Sequence, residues 1–206
     1  MTWRDHLKVG RQYAPLRNRA IRAILDAHVR TTIALSHATE RFLNANGITD
    51  TTCVHNGLGP WTAPDAAEAE AFKVMHGLSG PVVLLGGRVS GDKGLDVLPA
   101  VMDGVLTAVP DARLLIVGDE ARVRSYLPGM SEAVRKAAVM SSWLTRTQMR
   151  VALAAADVIT VPSTYLDNFP TMNLEAMLAG KPVVGTCFGG TPEAVQDGVT
   201  GFVVDP

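Results

Sequence analysis

The chain has 206 residues, 47% of them hydrophobic and 19% charged, with a formal net charge of −1. That balance supports a sizeable buried core and excludes a disordered chain, while near neutrality gives no global reason to expect nucleic acid as a partner. Cys53 and Cys187 stand far apart, without a CxxC pattern or histidines at metal-ligand spacing, so both are read as buried thiols in a reducing compartment, with neither a zinc site nor a disulfide. The apolar runs are too short to cross a bilayer and the N-terminus lacks the apolar stretch of a signal peptide, which makes a cytoplasmic protein the expectation. Charge is uneven, because the first thirty residues carry seven basic side chains (Arg4, Lys8, Arg11, Arg17, Arg19, Arg22, Arg30) against Asp5 and Asp26.

In chain order, Ile21, Ile24, Leu25 and His28 fall at i, i+3, i+4 and i+7, which predicts a basic first helix with one buried face and a charged outer face. Then come a strand in "TTIALS", a helix over 38–45, a strand in "TTCVH", a helix over 65–76, a strand in "PVVLLGG", a helix over 94–108 and a strand in "ARLLIVGD". After a mixed region around Pro128 follow "AAVMSSW" (strand), 148–155 (helix), "DVITVPS" (strand), 172–179 (helix), "PVVGT" (strand), 192–196 (helix) and "GFVVDP". Strands that are apolar on both faces, separated by helices, predict an α/β fold with a doubly wound parallel sheet. Ligands of such folds bind at the C-terminal edge of the sheet, so the loops after strands are where function is sought.

Four of those loops stand out. "GGRVSGDKG", residues 86–94, places Gly87, Arg88 and Lys93 in a glycine-rich turn leading into a helix, a combination suited to a diphosphate. In "IVGDE", Asp119 ends a strand, where it either accepts hydrogen bonds from a ribose or simply stabilises a helix start. "PSTYLDNFPT" enters a helix near Thr171, with Asp167 in the turn and Glu175 about one turn into the helix. Taken singly, each acid reads as a turn residue or an exposed helical glutamate. "CFGGTPEAVQDG" offers Gly189 and Gly190 for close backbone approach, Thr191 as N-cap and Pro192 at the first helical position, which leaves Glu193 a mainly structural role.

Taken together, "GRVSGDKGLDVL", "VPDARLLIVGD" and "AADVITVPSTYLDNFPTMNLEAMLAGKPVVGTCFGGTPEAVQDGVTGFVVDP" resemble the C-terminal half of the family-4 (group-1) retaining glycosyltransferases of GT-B architecture. "LDAHVRTTIALSHATERFLNANGITDTTCVHNGL" resembles the end of that family's acceptor domain, with Asn56 and Gly57 at the crossing, so the resemblance covers roughly residues 18–206. It implies an acceptor-domain remnant over 1–57, a linker and helix over 58–80, and an incomplete Rossmann-like, nucleotide-sugar-binding domain over 81–206. It also implies transfer of a glycosyl group from a UDP- or GDP-linked sugar to an acceptor hydroxyl with retention, without a cofactor or metal.

The family's paired acids, with seven residues between, fall on Asp167 and Glu175. The resemblance gives Glu175 the ribose hydroxyls and Asp167 hydroxyls of the donor sugar. Arg88 and Lys93 fall on the basic pair that grips the diphosphate; with the two acids they form the expected catalytic set. Fixed cations there stabilise the charge that grows on the leaving diphosphate, and losing one would raise the barrier by roughly 3 kcal/mol. Gly87, Asp119, Asn168, Phe169 and Thr171 complete the expected donor-binding set.

The chain departs from the pattern in two ways. Asp167 is one methylene shorter than the usual glutamate, and Pro170 stands where many members have glycine, which removes an N–H donor. Much of an acceptor domain is absent from the sequence, so exposed apolar area and self-association are further expectations, to be checked by light scattering. The basic first helix reads as a solvated face or as a peripheral membrane contact. The alternatives are a non-catalytic nucleotide-sugar-binding module, one half of a split enzyme, or an NAD-dependent oxidoreductase. "GGRVSG" is not the GxGxxG fingerprint of the last.

Overall fold

The computed structural model describes residues 15–206. Helix α1 (Pro15–His28) leads to two short strands, β1 (Thr32–Ala34) and β2 (Thr51–Cys53), joined by α2 (His37–Ala45) and paired in parallel as their own sheet. After α3 (Ala66–His76) come β3 (Val82–Gly86), α4 (Leu98–Ala108), β4 (Arg113–Val117), α5 (Glu120–Tyr126), α6 (Glu132–Ala137) and β5 (Ala138–Ser141). The chain continues through α7 (Arg146–Ala155), β6 (Val158–Val161), α8 (Thr171–Leu178), β7 (Val183–Thr186), α9 (Thr191–Ala194) and β8 (Gly201–Val204).

Six strands form one parallel sheet in the order β5, β4, β3, β6, β7, β8. The expected doubly wound arrangement is present. The chain builds outward from β3 to β5, then crosses back to lay β6 on the other side of β3, with Leu84 opposite both Leu115 and Ile159. This reversal opens a crevice at the C-terminal edge between the loops that follow β3 and β6.

Side chains alternate across a strand, so apolar residues at both parities require cover on both faces. Val82, Leu84, Leu115, Val117 and Ile159 pack on one side with Phe72 of α3 and Leu153 of α7. Leu85, Leu114 and Ile116 pack on the other with Leu98 and Met102 of α4 and Val134 of α6. Each such fully buried side chain contributes about 1.5–3 kcal/mol. The helices start where the sequence supplies caps. Asp65 with Glu68 and Thr145 with Gln148 form capping boxes, and α3 stops at Gly77 with φ +62°.

Several expectations need correction. The face of α1 that carries Ile21 and Ile24 is exposed, at 48% and 58%, because no described element covers it. Arg22 instead bonds the carbonyls of Asn46 and Gly47 at the end of α2. Arg4, Lys8 and Arg11 lie outside the described residues. The helix expected from residue 94 begins at Leu98; a 3-10 turn over Gly91–Lys93 and Gly94 at φ +108° precede it. The anion loop therefore does not run straight into an α-helical N-terminus. The mixed region holds α5 and α6. At α9 the cap is Gly190, and Thr191 is buried and faces Asn173 at 3.3 Å instead of capping. Cys187 is exposed at the sheet rim and Cys53 half-buried at the end of a strand in a two-stranded sheet, so neither is the buried thiol expected. No helix among the described residues is long and apolar enough to cross a membrane.

Candidate functional site

The loops after β3 and β6 meet at the sheet edge. Gly87 has φ +101°, and a side chain there would meet nothing within 4 Å, so the turn presents open backbone. Arg88 follows, exposed and, among the described residues, in no ion pair. Buried Val89 and Ser90 anchor the turn behind it. The carbonyl of Asp92 accepts the Thr164 N–H at 2.8 Å, and the Lys93 ammonium pairs with the Asp167 carboxylate, so the two loops are clasped twice.

Asp167 is buried, and its Oδ2 also accepts from Ser163 at 2.9 Å. The Lys93 ammonium lies 5.1 Å from the centre of the Tyr165 ring. Burial works against this ammonium, but the oxygens of Asp167 and Tyr165 outweigh it and hold its pKa above the usual lysine value. Lys93 is therefore a fixed cation. Gly87, Arg88, Lys93, Asp167, Pro170 and Thr171 line a cavity of about 260 Å³.

Glu175 lines a neighbouring cavity of about 220 Å³ with Leu58, Trp61, Leu144, Arg146 and Arg150. Burial pushes its carboxyl up from the ordinary value, and Arg146 and Arg150 only partly oppose that. The Arg150 guanidinium lies 5.1 Å from the Trp61 ring centre and donates to the Pro60 carbonyl at 2.7 Å. Trp61 Nε1 and Arg150 Nε are buried donors without an acceptor among the described residues. The two cavities share a wall at Gly86, where a Cβ would meet Met149 Cε at 2.6 Å and Met172 Cε at 3.0 Å. Met149 lines the Glu175 cavity and Met172 the other.

Arg88, Lys93, Asp167 and Thr171 thus gather in one cavity and Glu175 in the next. The side chains of Asp119, Asn168 and Phe169 are engaged by the fold. Asp119 caps α5, accepting the Arg122 N–H at 3.1 Å, and lines neither cavity. Phe169 is buried with its ring stacked on His55 at 4.5 Å, and its carbonyl accepts from Asn56 at 3.1 Å. Asn168 is exposed and accepts from Thr39. Both fasten the β6–α8 loop to residues 37–56. Gly189 and Gly190 allow close approach, but to this loop: a Cβ on Gly189 would lie 1.9 Å from the Asp167 carbonyl.

Glu193 does more than start a helix. Its carboxylate accepts the N–H groups of His37 and Ala38, each at 2.8 Å, and lies 3.0 Å from His55 Nε2. Burial would raise its pKa, but these three donors outweigh burial and lower it. Linear order hides this contact and the wall of Trp61, Arg146 and Arg150. Arg146 and Arg150 carried a signal in their i, i+4 spacing on α7, which puts two cations on one helix face.

The family model described as "Glycosyl transferases group 1" matches residues 80–206. A D-inositol 3-phosphate glycosyltransferase of Segniliparus rotundus is 34% identical over 153 residues, 72% of this chain and 34% of its own length. The sulfoquinovosyl transferase SQD2 of Arabidopsis thaliana is 33% identical over 132 residues, 61% of this chain and 24% of its own. Among solved structures, Anabaena HepE in complex with UDP and glucose superposes with TM-score 0.80 at 22% identity, covering 96% of this chain and 55% of that one. Sucrose-phosphate synthase from Thermosynechococcus elongatus does so with TM-score 0.77 at 26% identity, covering 95% and 50%. The chain therefore spans about a third or less of these curated relatives and about half of these structural ones.

Proposed function

Because the chain belongs to the group 1 glycosyltransferases, we propose that it binds a nucleotide-diphosphate sugar and serves retaining transfer of the sugar to an acceptor hydroxyl. In this reading 81–206 is the donor-binding domain, 58–80 the linker and 1–57 the end of the acceptor domain. The observation that carries it is the meeting of Arg88 and Lys93 in one cavity, with Glu175 just across the Gly86 wall.

The diphosphate lies against Gly87, Arg88 and Lys93, and the ribose reaches over the two methionines to Glu175. As the bond from the anomeric carbon to the phosphate oxygen breaks, negative charge grows on the diphosphate, where Arg88 and Lys93 stand ready. Asp167 keeps Lys93 charged and aimed. With one carboxylate oxygen held by Lys93 and Ser163, it presents the other to the donor sugar.

Calorimetric titration of nucleoside diphosphates and of inorganic pyrophosphate tests the roles. Glu175→Gln should weaken a nucleoside diphosphate by about 1–3 kcal/mol and leave pyrophosphate unchanged, whereas Arg88→Ala should weaken both. Equal effects of both substitutions on both ligands would overturn the assignment. NAD should not bind, and a donor-hydrolysis or transfer assay separates an enzyme from a binding module. On α1 the exposed Arg19 stands beside exposed Leu16, Ile21 and Ile24, which supports peripheral contact with anionic lipid on the cytoplasmic side. Co-sedimentation with anionic vesicles should occur at low salt and fall for Arg19→Glu; sedimentation equal to neutral vesicles would refute it.

A further inference from the structure

Four side chains with metal-binding donors meet where the small sheet faces the large one. His37, Cys53, His55 and Glu193 each offer one ligand atom, and these atoms all lie within 4.8 Å of one another. The fold explains the meeting. Ala34 and Cys53 are register partners, so β1 and β2 end side by side. The chain after β1 turns through Ser36, the N-cap of α2, and presents His37. The chain after β2 stays extended, with Val54 N–H donating to Ala34, and in an extended chain positions 53 and 55 share a side. Glu193 enters from α9, 138 positions away from His55. Linear spacing alone could not show this set, which is why the sequence reading expected no metal.

We propose that these four residues form a site for zinc or another divalent ion of borderline softness, which clamps residues 32–55 to the large domain. Two imidazoles, a thiolate and a carboxylate make a donor set that suits such ions and tetrahedral geometry. At ordinary zinc bond lengths of about 2.0–2.3 Å, tetrahedral donors stand roughly 3.3–3.8 Å apart, so side-chain rotations of about 1 Å close the site.

Two further features favour an ion over a plain hydrogen-bonded junction. Cys53 Sγ makes no hydrogen bond among the described residues, although three nitrogen and oxygen donors surround it. The carboxylate is already aimed, with Oε1 held by the Ala38 N–H and Oε2 by the His37 N–H. Outside the set, Glu40 lies 3.1 Å from Nδ1 of His37, an acid placed to fix that ring's tautomer as outer carboxylates do in metal sites. An ion would enter between His55 Nε2 and Glu193 Oε2, replacing one hydrogen bond with two coordinate bonds. Cys53 would bind as the thiolate, its proton passing to solvent.

The test uses the full chain carrying Cys187→Ser, stripped with a chelator and then titrated with Zn²⁺ by calorimetry and with Co²⁺ by absorption. One ion per chain should bind, with the visible bands of tetrahedral Co²⁺ and near-ultraviolet thiolate-to-cobalt absorption. His55→Gln and Cys53→Ser should each weaken zinc at least as much as losing an outer-shell partner does, roughly 10–100-fold, and Cys53→Ser should abolish the thiolate band. Absence of the thiolate band from the parent protein overturns the site without any variant needing to fold. So does zinc binding as tight in either substituted protein as in the parent.

Discussion

Glu175, proposed to hold the ribose, shows how the fold keeps an acid at a cost. Its carboxyl is pushed up by burial, with Arg146 and Arg150 opposing, so folding penalises its ionised form. The associated stability is present below the ordinary glutamate value of 4.5 and is lost as pH rises through the raised folded value. Glu175→Gln removes that loss. Calorimetric melting should give the variant a midpoint at neutral pH equal to or above the parent's, with a flatter profile above pH 4.5, even as nucleotide affinity falls. A variant melting lower by the same amount at every pH would show that Glu175 stabilises the fold through contacts and not through its charge.

Arg88 and Lys93 stood out because two cations share one glycine-rich turn, and the fold brings both to one cavity. Asp167 and Glu175 stood out only as a spaced pair, and the fold places them in neighbouring cavities. Trp61 did not stand out, since alone it looks like ordinary surface, and Arg146 and Arg150 signalled only through their i, i+4 spacing. For Phe169 the expectation rested on its backbone N–H at the helix start, and its aromatic ring stacks on His55.

At the scale of the element, the β3–α4 connection carries the decisive geometry. Leu95, Leu98 and Met102 are all buried and lie at helical spacing, so periodicity alone starts the helix too early. What stops it is Gly94, whose φ of +108° lets the backbone pack on Pro162; a Cβ there would lie 2.2 Å from the proline Cγ. Gly94→Ala would add backbone strain and overpacking, each about 1–3 kcal/mol. Pro162 opens the loop that bears Asp167, so the same shift should pull Asp167 from Lys93 and weaken pyrophosphate binding. Gly87→Ala has similar strain at φ +101° but open space around it, and should cost only the strain term. Urea unfolding of the two variants checks the difference; equal losses would mean that the Pro162 contact relaxes without cost.

The parallel sheet was legible from its two-sided apolar strands, because that pattern has few other solutions. The join between residues 37–56 and the large sheet was not, because it depends on contacts between segments far apart in the chain. Thr39 meets Asn168, Asn56 meets the Phe169 carbonyl, and Glu193 caps α2 across more than 150 positions of chain. Glu193 carries the charged part of that join. Glu193→Ala, studied with a chelator present, would strip two N–H groups at the start of α2 of their acceptor and cost about 1–3 kcal/mol. The loss is local to the join, so it should appear first in the small sheet. Hydrogen exchange should speed up at β1, α2 and β2 while the amides of β3, β4 and β6, buried on both faces, keep their protection. Glu193→Gln keeps one acceptor oxygen and should restore part of the protection at α2. Exchange that rises evenly through both sheets, or not at all, would mean that the two parts are held together by the Phe169–His55 stack and the Asn56 bond without help from the carboxylate.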